Sequence, residues 1–322
     1  MIVKNEEKLL KRCLDSICDL MDEIVIVDTG STDRTKEIAA EYTDKIYDFE
    51  WVNDFSAARN FAFSKAGCDY IYTADADEEL DEENRQRFQV LKENLDEQIE
   101  IVQMMYCNEL VDGSVYNYEK ELRPKLYKRL RNLVWIDPVH EIVRTSPVVF
   151  DSDIEILHRP QSLHTDRDLE IFERLIENID AREKAEAVDE TASEENSQNA
   201  VSYMSVRLLS MYEKELYKSE KVEHFEKAIP YFVRLSEESW DEEEELLCIY
   251  SILVKGYRLL GDVTGMFQYA IKAIAMGGCS EIAYELGLYF EAIGNNEEAN
   301  MWFYNASKEL LPLLDIRTTG AG

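Results

Sequence analysis

Residues Ile24-Val25-Ile26-Val27 run unbroken into Asp28, and no other stretch restricts the fold of this chain as strongly. An apolar run without polar alternation suits a strand covered on both faces. Thr29-Gly30-Ser31-Thr32-Asp33-Arg34-Thr35 is a turn into a helix over 36–42, with Ser31, Thr32 or Asp33 as its cap. The alternation then repeats: a strand at 46–48, a helix over 55–66, a strand over 69–74, a helix over 81–95 and a strand over 99–107. Ahead of it, Met1–Val3 is a strand stub, Asn5 is placed to cap the following helix, and Leu10, Leu14, Ile17 and Met21 give that helix one buried stripe. Strands alternating with helices predict an α/β domain with a mainly parallel sheet. Ligands of such sheets bind beyond the carboxyl ends of the strands, where Asp28 and Asp75 both fall.

From Val111 to His158 the pattern changes to short strands and turns punctuated by Pro124, Pro138 and Pro147. Lys120, Arg123, Lys125, Lys128, Arg129 and Arg131 stand there against Glu121 alone. Two readings fit: a solvated edge strand, or a basic rim that receives an anionic group. The second matters because the chain carries a net charge of −32, which excludes nucleic acid and anionic membranes as partners. An anionic substrate must therefore meet a metal ion or a local basic patch.

Helical character dominates the second half. Residues 166–188 read as a polar helix, and Asp189–Asn199 is the best linker. Beyond Ala200, Leu286, Gly287, Phe290, Ala299, Phe303 and Ala306 stand at the offsets of a tetratricopeptide helix pair. Leu253, Tyr257, Tyr269 and Ala273 repeat the pattern upstream, with Gly261-Asp262 aligned to Gly294-Asn295, and Leu208, Tyr212, Ala228 and Phe232 form a looser copy. Small residues let paired helices approach while aromatics fill the gaps. The expected organisation is an α/β domain over 1–165, a helical linker over 166–199, an all-α repeat domain over 200–315 and a tail over 316–322. Such an array offers a concave surface to a peptide or protein and a face for homodimer formation.

No apolar run is long enough for a transmembrane helix, and Met1-Ile2-Val3-Lys4-Asn5-Glu6-Glu7 is too acidic for a signal peptide. The 6 cysteines include no C-x-x-C pair and read as reduced thiols of a cytoplasmic protein, without ligand spacing for zinc.

Tyr70-Ile71-Tyr72-Thr73-Ala74 ends in Asp75-Ala76-Asp77, two carboxylates that share a face if the strand continues through Ala76 and that, at a strand's carboxyl end, can instead converge on one ion. Hard divalent cations take oxygen ligands and keep waters and phosphates in their shell. Among 67 acidic residues most such triplets are solvated loop, and Glu78-Glu79 reads as the solvated approach to the next helix.

Five stretches in order resemble the inverting family-two glycosyltransferases with a GT-A nucleotide-sugar domain, in the branch with carboxyl-terminal tetratricopeptide-like helices. They are Met1–Glu7, Val27–Asp33, Phe55-Ser56-Ala57-Ala58-Arg59-Asn60, Ala74–Glu78 and Val139-His140-Glu141. The resemblance implies a UDP-sugar donor carrying a hexose or N-acetylhexosamine, and Mg²⁺ or Mn²⁺ as cofactor. It implies that Val3 contacts the base, Asp28 accepts from uracil N3–H, and Arg59 and Asn60 reach a uracil carbonyl or a phosphate. Asp75 would face the ribose, Asp77 would bind the metal, and His158 would complete its shell. Glu141 would be the base that deprotonates the acceptor, with Asp137 as runner-up. Trp135 is either a sugar platform or core, and Tyr127, Lys125 and Lys128 would line the acceptor or diphosphate side. Some relatives of this layout glycosylate cysteine in secreted peptides; a lipid-linked or surface-polysaccharide acceptor and an inactive scaffold are the alternatives. A sugar nucleotidyltransferase would need a Gly-rich basic loop where Lys4-Asn5-Glu6-Glu7 stands. The family's first strand has several residues ahead of the Met1–Glu7 element, and the signature of polymerising members is missing, which argues against processive synthesis.

Overall fold

The apolar run becomes β2 (Ile26–Asp28), buried at every position. It pairs in parallel with β1 (Ile2–Val3) on one side and β3 (Ile46–Asp48) on the other, aligning Val3, Asp28 and Asp48 at one end. α1 (Leu10–Ile17) and α2 (Thr35–Ala39) pack Leu10, Leu14, Ile38 and Ala39 against Ile26. The computed structural model describes residues 1–108, 120–129, 135–136, 142–143, 147–159, 165–188, 204–240 and 242–314. The chain divides into two units, Met1–Leu163 and His164–Gly322.

Asn5 does not cap α1, which begins at Leu10 with no side-chain cap. Asn5 instead adopts φ 57, a left-handed conformation that asparagine tolerates better than most residues. From there its Oδ1 accepts the Thr32 N–H at 2.8 Å and its own N–H donates to Ser31 Oγ at 2.9 Å. The loop after β1 is thus tied to the turn after β2, the turn that follows Asp28.

α3 (Phe55–Lys65) starts on Asp54, whose carboxylate accepts the Ala57 N–H at 3.1 Å. Ser56, Ala58 and Ala62 are its buried face. Next come β4 (Tyr70–Tyr72), β5 (Glu78–Glu79), α4 (Glu82–Asn94), β6 (Ile101–Asn108), β7 (Lys120–Lys128), the antiparallel pair β8 (Trp135–Ile136) and β9 (Ile142–Val143), and β10 (Val149–His158). A second sheet has the order β4-β7-β6-β10-β5. Its β6 and β10 are parallel, as β1 to β3 are, while β7 returns antiparallel between β4 and β6 and β5 returns antiparallel on β10. The basic segment is therefore an interior strand, not an edge: Lys125, Leu126 and Tyr127 are buried and Lys120–Pro124 are exposed. Val102, Met104, Tyr106, Leu126, Ile154 and Ile156 form the core with Phe88 of α4.

The second unit holds α5 (Thr165–Val188), α6 (Val206–Lys218), α7 (Val222–Leu235), α8 (Glu243–Leu259), α9 (Val263–Ala275), α10 (Ser280–Ala292) and α11 (Asn296–Tyr304), the last running into a π-helical turn over Asn305–Glu309. The α8–α9 and α10–α11 pairs are built alike. Gly261 (φ +72) and Gly294 (φ +79) turn the chain in left-handed conformations, and Asp262 and Asn295 then cap the second helices by accepting the Gly265 and Glu298 N–H groups. Tyr257 and Tyr269 stack between α8 and α9 with rings 4° from parallel. The helix expected as a linker packs instead as a member of this unit. Leu169, Ile171, Phe172 and Ile176 of α5 are buried, and the Phe172 ring stacks on Tyr212 at 4.9 Å. Residues 189–199 and 316–322, expected as linker and tail, lie outside the described residues. Among the described residues no helix is long and apolar enough to cross a membrane. All six cysteines are free thiols.

Candidate active site

Asp28 ends β2 with 1% of its surface exposed. Both its carboxylate oxygens accept the Ser31 N–H, at 3.0 and 2.8 Å, so the turn that Asn5 ties down sets the carboxylate's direction and leaves lone pairs for another donor. None of Ser31, Thr32 and Asp33 caps α2, which is entered at Arg34 with no side-chain cap; Asp33 instead ties the turn by accepting from Thr35 N–H at 2.9 Å and, from the loop after β1, Glu7 N–H at 3.2 Å. Val3, expected against a base, has its side chain in the core, and its carbonyl accepts from Thr29 N–H at 3.0 Å.

On α3, Arg59 points its guanidinium at Asp75, with Nη2 3.9 Å from Oδ1. Asn60 follows it on the same helix. Asp75 lies in the turn between β4 and β5, and Lys125 of β7 approaches its other oxygen at 3.6 Å. Burial pushes the Asp75 carboxyl up, but Lys125 and then Arg59 outweigh it and hold the group well below the ordinary carboxylate range. The turn is closed by a reciprocal pair: Asp75 N–H donates to Glu78 Oε2 at 3.2 Å and Glu78 N–H donates to the Asp75 carbonyl at 3.1 Å. From below, the Cys13 thiol donates to the same Asp75 carbonyl at 3.2 Å.

Glu78 corrects the expectation of a solvated acidic stretch. It is 2% exposed, paired through Oε1 with the Lys125 ammonium, and burial pushes its carboxyl up to about 8 with the Asp75 charge adding to the rise against Lys125. Glu79 is also engaged, 2.9 Å from Arg159 Nη1 and 3.5 Å from Arg12 Nε. Both acids form β5, which holds β10 in register at Glu78↔His158 and Glu79↔Leu157.

That register brings His158 to Asp77, with Nε2 3.0 Å from Oδ2. Arg159 N–H donates to the Asp77 carbonyl at 2.9 Å, and Arg12 of α1 reaches the same carbonyl at 3.4 Å. The His158 ring lies 4.9 Å from Tyr106 of β6, and over the Tyr106 ring stand the Arg123 guanidinium at 3.9 Å and the Lys125 ammonium at 5.5 Å. Among the described residues no three His, Cys, Asp or Glu side chains are grouped to hold a metal. One carboxylate and one imidazole nevertheless fit a divalent cation whose other positions go to water and phosphate oxygens. A cavity of about 570 Å³ elsewhere in this unit reaches Arg59 and Thr73, but Asp28, Asp75, Asp77 and His158 do not line it.

Tyr127 does not line this site. It is 1% exposed, packs on Phe63 at 5.7 Å and donates to the Pro124 carbonyl at 2.9 Å. Lys128 donates to the Glu97 carbonyl. Asp137, Glu141 and the rest of Val139-His140-Glu141 lie outside the described residues, and of Trp135 the backbone pairing alone is described. Sequence reasoning missed Glu78, Arg12 and Tyr106. A buried lysine among exposed bases left one trace: Lys125 is followed by Leu126-Tyr127, the apolar end of the basic segment.

The α/β fold of this unit is GT-A-like. Residues 1–156 match the model of Glycosyl transferase family 2, and this part of the chain belongs to that family. The chain is 39% identical over 146 residues to a TPR repeat-containing protein of Synechococcus elongatus, covering 45% of this chain and 35% of that protein. It is 41% identical over 87 residues to the SPbeta prophage-derived glycosyltransferase SunS of Bacillus subtilis, covering 26% of this chain and 21% of SunS. These matches span about a third and about a fifth of the two relatives. The crystal structure of S. aureus TarS 1-349 superposes with a TM-score of 0.35 at 12% identity over 94% of this chain and 89% of that one, too distant to inform the site.

Proposed function

We propose that this chain is a metal-dependent inverting glycosyltransferase that moves a hexose or N-acetylhexosamine from a UDP-sugar to a peptide or protein side chain. The observation that carries the reading is the Asp77–His158 pair, held at 3.0 Å beside Asp75 in a family-two domain. Asp28 is proposed to accept from uracil N3–H, Arg59 and Asn60 to bind a uracil carbonyl or phosphate, and Asp75 to receive the ribose hydroxyls. Asp77 and His158 would hold Mg²⁺ or Mn²⁺. When bound, the cation supplies Lewis-acid neutralisation of the charge that develops on the departing UDP. Inversion is a direct displacement, so one carboxylate must take the acceptor's proton. Glu141 is the proposed base and Asp137 the runner-up.

Support for a polypeptide acceptor comes from the helical unit, since stacked helix pairs form extended concave surfaces. The decisive experiment is a panel of UDP-sugars scored for hydrolysis with and without Mn²⁺ or Mg²⁺. Metal-dependent hydrolysis of one donor, lost in Asp77→Ala, is expected; full hydrolysis by that variant with unchanged metal dependence would show the assignment to be wrong. Intact-mass measurement of peptides incubated with the active donor then tests the acceptor class, and the absence of any mass shift counts against it.

A further inference from the structure

We infer that Lys125 is a positioning residue of the donor site, a buried ammonium that ties Asp75 and Glu78 together and so sets the direction from which Asp75 meets the nucleotide. The inference rests on the reading of Asp75 as a donor-binding residue. Three features carry it. First, Lys125 occupies a break in strand pairing. Val102 faces Leu126 and Gln103 faces Pro124, so Lys125 has no partner on β6. Bulges re-aim side chains, and a proline in an interior strand has no N–H to give the ladder. On the other side the residue that follows β4 holds the bulge in place, with Thr73 N–H donating to the Lys125 carbonyl at 2.8 Å.

Second, the re-aimed ammonium meets acceptors from one turn: Glu78 Oε1, the Thr73 carbonyl at 3.3 Å and Asp75 Oδ2 at 3.6 Å. Two acids closing one turn repel each other, and a cation between them converts that repulsion into a fixed geometry. Third, the Lys125 side chain is 6% exposed while that of Asp75 is 40% exposed. Lys125 cannot meet a ligand itself and acts through Asp75, whose open side remains available.

The test compares wild type, Lys125→Met, Lys125→Met with Glu78→Gln, and Asp75→Asn. Calorimetry reads UDP binding with and without Mn²⁺, thermal unfolding reads stability, and donor hydrolysis reads KM against kcat. Lys125→Met is expected to weaken UDP binding and raise KM about tenfold, while kcat falls less than about threefold. Adding Glu78→Gln removes the acid left without its cation, so the double variant is expected to regain the melting temperature while binding stays weak. That variant also keeps the test open should Lys125→Met fold poorly. Binding within about twofold of wild type in either Lys125 variant, or joint recovery of stability and binding in the double variant, overturns the inference. Weakened binding in Asp75→Asn but not in the Lys125 variants overturns this inference alone. A wild-type chain that binds no UDP overturns the donor reading and this inference with it.

Discussion

His158 Nε2 lies 3.0 Å from Asp77 Oδ2 because two residues of β5, immediately after Asp77, pair with the last two residues of β10. The two side chains are separated by 81 positions in sequence and meet through that short antiparallel ladder. If they share a cation, their removal has unequal effects. Asp77→Asn takes away the charged ligand and is expected to lower metal-dependent turnover about 100-fold or more, whereas His158→Ala lowers apparent metal affinity about tenfold and is partly offset by excess Mn²⁺. Titration of donor hydrolysis with Mn²⁺ distinguishes the two; identical behaviour at saturating metal contradicts a shared site.

If Arg59 binds the donor as proposed, its loss is expected to affect binding more than stability. Its guanidinium is 3.9 Å from Asp75, a loose pair that a diphosphate or uracil oxygen can replace. Arg59→Ala is expected to raise KM for the UDP-sugar about tenfold, and Arg59→Lys to recover little because the planar fork is lost. Steady-state kinetics with the active donor checks both, and full recovery by lysine would reduce the role to simple charge.

In the helical unit, Glu213 buries Oε1 with no hydrogen-bond partner among the described residues, and burial raises its carboxyl well above the ordinary 4.5, with Glu245 adding to the rise. Below pH 4.5 the group is protonated in both folded and unfolded chains and contributes nothing. Above it, the unfolded chain releases a proton that the folded chain keeps, so stability falls with rising pH. Glu213→Gln is therefore expected to stabilise at pH 7 by about 2 kcal/mol and to change little at pH 4. Urea unfolding at the two pH values measures this; an equal difference at both assigns the effect to packing.

Two glycines fail for different reasons when replaced by alanine. A Cβ on Gly287 would stand 2.5 Å from the Phe303 ring, whereas one on Gly261 would meet nothing within 4 Å but would strain a φ of +72. Gly287→Ala is expected to cost about 1–3 kcal/mol and to be relieved by Phe303→Leu. Gly261→Ala is expected to cost about 1 kcal/mol and to be indifferent to that change. Thermal unfolding of the single and double variants resolves the two mechanisms.

Local pattern carried much of this architecture. The unbroken Ile24–Val27 run, the helix over 55–66 and the paired Gly-Asp and Gly-Asn turns each depend on neighbours in sequence, and each was legible there, whereas the Asp54 cap of that helix was not read. The alternation of strands and helices also marked Asp28 and Asp75 as strand-end acids. Glu78 and Lys125 were misread because charged residues are seldom buried unless paired, and their pairing comes from strands 47 residues apart. Asn5 was misread because the same short polar side chain suits a helix cap and a left-handed turn, and contacts with Ser31 and Thr32 decide between them.

Cys13 gives the Asp75 turn a clock. Its thiol is 1% exposed beneath that turn, donates to the Asp75 carbonyl, and is made a poor thiolate by burial. A thiol so placed reacts with a modifying reagent when the segment above it lifts, and the reaction rate then counts opening events. The lifetime of the closed turn, a quantity that equilibrium binding does not report, is thereby open to measurement at a single native side chain.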